Sequence, residues 1–124
     1  MADSIDELLE ATADGQLTLA YAALGRQDPE TAGFGPESLA ELVHVGKQWW
    51  ATNEPRVREI VCRNTFVRRV ADDDEKDVVV AIAGALGTLY GADKSVIAGV
   101  LILRLGLRQW CRAEWLPPPI PAEG

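Results

Sequence analysis

His44 is the only histidine of the chain, and Cys62 and Cys111 are its only cysteines. Three such residues make a poor tetrahedral zinc set, because none has the CxxC or HxxxH spacing that gathers ligands on one short segment. Neither a metal nor a cofactor is therefore expected, and the cysteines read as two separate, buried, reduced thiols. Asp72, Asp73, Asp74, Glu75 and Asp77 crowd five carboxylates that could attract a cation. They lack the alternating oxygen ligands and central glycine of an EF-hand loop, and read instead as an acidic helix start that complements the helix dipole. No serine or cysteine has an assignable base beside it. "GFG" and "GALG" lack the strand-to-helix setting of a phosphate cradle. The expectation is a non-enzymatic protein without a small-molecule substrate.

The arginines carry more information. Arg104, Arg108 and Arg112 recur at i, i+4 and i+8, while Arg56, Arg58, Arg63, Arg68 and Arg69 cluster earlier. Residues 1–41 hold nine acidic residues against Arg26 alone, a local balance of −8. Two readings stay open. The arginines either pair internally with the acidic half, or form the basic side of a head-to-tail contact between copies. The formal charge of −7 argues against nucleic acid and against anionic membranes, both of which need a positive surface.

Trp49 and Trp50 are adjacent, and neighbouring helical side chains point about 100° apart, so the two rings cannot share one core. Helical projection puts Leu39, Leu42, Val43, Gly46 and Trp50 on one stripe, with His44 turned towards solvent. Trp49 and Val45 fall at its edge. Tryptophan is enriched at binding hot spots, so the residues expected to contact a protein partner, or a second copy, are Trp49, Val45, Arg104, Arg108, Arg112, Arg68 and Arg69.

The elements that position these residues read as helices. "SIDELLEATADG" has Ser4 and Glu7 at capping-box spacing and stops at Asp14-Gly15. Leu17, Ala20, Tyr21 and Leu24 repeat with helical period up to Gly25, read as a C-terminal cap. After a Pro- and Gly-rich loop, Pro36 opens a helix from Glu37 to about Ala51, and Pro55 breaks it. Asn53 is then expected to cap the next helix, over residues 54–70, with Val57, Ile60, Val61 and Val67 on one side and Cys62, Phe66 and Val70 on the other. A helix runs from the acidic cluster to Tyr90, with Val78, Val79, Ile82, Leu86 and Leu89 as its core face. Gly84 and Gly87 on its back predict a close backbone approach, since each costs about 1 kcal/mol relative to alanine. Asp93 caps a final helix to about Glu114.

The fold class is all-α: a compact bundle of about five helices with a C-terminal antiparallel helical hairpin. Residues 1–116 read as a single helical domain and residues 117–124 as a Pro-rich tail, whose PxxP leaves open a role as a ligand motif. The apolar runs of the hairpin are about 13 residues long where a membrane span needs about 20. "MADSIDELLE" is acidic where a secretory leader is basic and then apolar, which predicts a cytoplasmic protein. The excess of arginine and alanine suggests a GC-rich bacterial genome.

In general character such a module resembles small bacterial adaptor or effector-associated interaction domains, death-fold-like ones included. The expected function is a helical protein-protein interaction module, an adaptor or a self-assembling one. Two alternatives stand beside it. One is an acidic inhibitor of antitoxin or immunity type that covers a basic effector, and the other a small membrane-acting effector using residues 78–107.

Overall fold

A computed structural model describes residues 4–27 and 38–115, and among these every regular element is a helix. In chain order they are α1 (Ser4–Ala11), α2 (Thr18–Arg26), α3 (Leu39–Cys62), α4 (Thr65–Arg69), α5 (Glu75–Tyr90), α6 (Ala92–Leu105), α7 (Leu107–Trp110) and α8 (Arg112–Trp115). Glycine marks three of the joints. Gly15, Gly91 and Gly106 have φ of +85°, +83° and +96°, a region that side chains with a Cβ rarely enter. They separate α1 from α2, α5 from α6, and α6 from α7.

Helix α3 corrects the expected break. It runs 24 residues through Pro55 without interruption. Ala51, whose carbonyl loses its donor to the proline, is exposed along with Pro55, so water can serve that group. Asn53 is not a cap either: its side-chain amide donates to the Trp49 carbonyl at 2.9 Å, within the helix. Buried residues on both sides of the proline, Trp50 before it and Val57 and Val61 after it, outweigh the local penalty. The helix begins with a capping box between Ser38 and Glu41, while Pro36 and Glu37 lie outside the described residues.

Asn64 caps α4, its Oδ1 accepting from the Val67 amide at 3.0 Å. Acidic residues occupy the first turn of α5 as the dipole argument requires. Gly91 ends α5 and leads directly into α6, so Asp93 lies within the first turn of α6 and caps nothing. The last helix is shorter than expected because Gly106 interrupts it after Leu105, leaving two single-turn helices to complete the chain up to Trp115.

Two glycines permit α2 and α3 to cross backbone against backbone. A Cβ on Gly25 would lie 2.1 Å from the Leu42 carbonyl oxygen, and one on Gly46 would lie 1.8 Å from that of Tyr21. Each helix thus presses its glycine onto the backbone of the other. Gly25 lies inside α2 rather than capping it, and its role is this crossing. Gly84 and Gly87, where close approach was expected, have nothing within 4 Å.

The core is continuous from α2 to α8 and includes Leu24, Val57, Val61, Ile82, Leu86, Leu101 and Ile102. Trp50 is buried in it and stacks on Trp110 with ring centroids 6.0 Å apart. Leu39 and Leu89, expected inside, are instead about half exposed. Cys62 and Cys111 are buried and joined in a disulfide with Cα atoms 5.4 Å apart, which replaces the expected pair of thiols. Their separation of 49 residues concealed the pairing from a spacing argument. The Pro-rich segment 117–124 lies outside the described residues.

Candidate functional site

The arginines expected to face a partner divide into spent and free ones. Arg104 is largely buried and completes the end of α1: its Nη2 donates to the Leu9 carbonyl at 2.6 Å and its Nε to Thr12 Oγ1 at 2.9 Å. Its Nη1 also reaches Glu75 at 2.7 Å. A helix C-terminus leaves carbonyls without donors, and this guanidinium supplies them from 95 residues away. Arg108 makes a two-pronged contact with Asp72. That hydrogen bond holds the Asp72 carboxyl below the usual carboxylate range and raises Arg108.

Arg68 donates to the Trp115 carbonyl at 3.0 Å, and Arg68 and Arg108 both approach the Trp115 ring, at 5.6 and 5.9 Å from its centroid. Trp115 Nε1 in turn donates to the Cys62 carbonyl at 2.6 Å. These groups therefore fasten α8 beside the disulfide. Arg69 and Arg112 are exposed and their side chains make no hydrogen bond or ion pair among the described residues. The i, i+4, i+8 row is broken by Gly106, so Arg104, Arg108 and Arg112 do not share one helix.

Trp49 is half-buried, its ring meeting Tyr90 edge-on at 5.4 Å, with Lys94 5.6 Å from its centroid. Val45, one turn earlier, is half-buried too, and His44 is exposed. Burial also pushes the Tyr21 phenol up from its usual value. No group of three potential metal ligands gathers among the described residues.

The structure adds a feature that no sequence pattern announces. Helices α1, α2 and α6 enclose a groove of about 550 Å3, walled by Ile5, Leu8, Leu19, Ala23, Val96 and Ile97. Its size lies within the range of pockets that hold small ligands or a partner's side chains. Glu7, Asp93 and Arg26 stand at its polar edge, exposed and without side-chain hydrogen bonds or ion pairs among the described residues. Leu19 in its wall is 46% exposed, so the apolar surface is open to solvent. The 5/8, 19/23/26 and 93/96/97 positions each follow helical spacing, but only the packing of three helices sets them round one space.

A second exposed apolar point lies on α4. Phe66 is 54% exposed, the most of any large apolar residue described, and Arg69 follows it one turn later on the same face. A further exposed strip lies on α5, where Val80 flanks the open Gly84 and Gly87. No protein family, curated protein or solved structure matches the chain.

Proposed function

We propose that this chain, a helical bundle whose α5 and α6 form a hairpin, is a non-enzymatic protein-protein interaction module that works by self-association. The observation that carries this reading is the open apolar groove among α1, α2 and α6, with charged side chains at its edge that have no partner among the described residues. A groove with an apolar floor and a charged rim is how helical modules receive an apolar anchor from another protein. Exposed Phe66, Val80 and Leu89 supply further apolar surface. The cytoplasmic placement expected from the sequence sits poorly with the disulfide, since the reducing cytosol disfavours such bonds.

Size exclusion with light scattering across a concentration and salt series tests the proposal. A mass that rises above the 13.5 kDa of one chain is expected, and a mass fixed at 13.5 kDa throughout would overturn it. The acidic-inhibitor reading keeps one favourable observation, the two carboxylates Glu7 and Asp93 beside the groove. It predicts instead a monomer that forms a one-to-one complex with a basic protein, weakened steeply by salt. No helix among the described residues is long and apolar enough to cross a membrane, and the membrane-effector alternative gains no observation here.

A further inference from the structure

We infer that the groove among α1, α2 and α6 receives Phe66 and Arg69 of a second copy of this chain, making the self-association head-to-tail. The inference rests on the self-association reading above and names its two surfaces. Phe66 is exposed on the short helix whose Val67 is buried, one turn from an arginine whose side chain has no partner among the described residues. Aromatic and arginine side chains are the commonest anchors of protein interfaces. The groove offers the matching features: an apolar interior for the ring, and Glu7 and Asp93 at its edge for the guanidinium.

Charge complementarity decides the occupant. Two carboxylates, Glu7 and Asp93, outnumber the one guanidinium, Arg26, at the groove's edge, and this net negative rim favours a cationic knob over an acidic or purely apolar one; Arg69 beside Phe66 is such a knob. The knob and the groove share no residue and no helix. Unless two copies exchange both contacts about a two-fold axis, a contact between two different patches leaves one of each unused. Each added copy therefore leaves one free knob and one free groove, and growth continues unless the rotation closes a ring. One aromatic anchor with a pair of rim charges is a small interface, so the contact is transient and visible only at high concentration.

The test uses two full-length variants. Phe66→Ser removes the knob and keeps the groove, while Ala23→Trp fills the groove and keeps the knob. Each alone is expected to stay monomeric at concentrations where the parent chain assembles, with affinity lowered at least about tenfold as for a hot-spot residue. Mixed one to one, they are expected to form a heterodimer that stops there, because the only free knob and the only free groove meet once. A parent chain that assembles while the mixture stays monomeric would overturn this assignment and leave self-association standing; a monomeric parent would overturn both. Assembly that survives Phe66→Ser but is lost on Gly84→Leu would place the contact on the α5 strip instead. Should Ala23→Trp fail to fold, exposed charges provide the second pair. Glu7→Lys with Asp93→Lys should weaken assembly, and mixing that chain with Arg69→Glu should restore it, whereas no restoration would count against the pairing.

Discussion

Two pairs of helical glycines among the described residues live in opposite surroundings. At the crossing of α2 and α3, Gly25 and Gly46 are pressed against the backbone of the facing helix, with no room for one more carbon. On the outer face of α5, Gly84 and Gly87 meet nothing within 4 Å. The local cost of a helical glycine is the same in both places, about 1 kcal/mol against alanine. At the crossing that cost is repaid by close packing, while on α5 nothing within the described chain offsets it. A glycine in a helix therefore says that something unusual happens there, and only the tertiary structure says whether it lies within the molecule.

The widest effect is expected on the sealed side. Trp50→Ala should lose roughly 3 to 5 kcal/mol in urea denaturation, since it empties a core position stacked on Trp110. Trp49→Ala should lose less, about 1 to 2 kcal/mol, because its half-buried ring gives up an edge contact with Tyr90 and the approach of Lys94 rather than a filled core position. Equal losses would erase the distinction between the two rings.

Gly46→Ala should cost about 3 kcal/mol, because the new methyl group would collide with the Tyr21 carbonyl and force the helices apart. A cost below about 1 kcal/mol would show that the crossing can yield. On α5 the sign reverses. Gly84→Ala and Gly87→Ala should each raise stability by about 1 kcal/mol, and a loss of stability would reveal a contact there.

The smallest effects concern protons. Asp72, lowered by its bond from Arg108, contributes stability that is present above the ordinary carboxylate range and lost as pH falls through its lowered value. An NMR titration of its carboxyl in Arg108→Ala should move upward to the ordinary range. Tyr21 has the opposite sign: its raised phenol favours the fold below the usual tyrosine range, and that contribution fades as pH rises through its own value. Absorbance at alkaline pH should therefore show a late-ionising component in the parent chain that is lost in Tyr21→Phe.

Much of the helical plan could be read from residues next to each other. Gly15 and Gly91 punctuate the chain as their type suggests, and Trp50 falls in the core stripe where helical projection puts it. Pro55 misled because its penalty is local, whereas the burial of Trp50, Val57 and Val61 that overrides it is not. Arg104 shows the same limit. Its side chain is occupied by the end of a helix more than ninety residues earlier, which no spacing of arginines discloses. The groove joins positions from Ile5 to Ile97, and Phe66 declares itself only by what fails to cover it.

The Cys62–Cys111 bond gives the chain a property unrelated to its packing. It closes a covalent loop that contains α4, α5, α6 and α7 together with the exposed acidic segment 72–74. A protease that cuts that segment produces two polypeptides but not two molecules. In denaturant the nicked protein should run as one species until a reductant is added and then separate into two fragments.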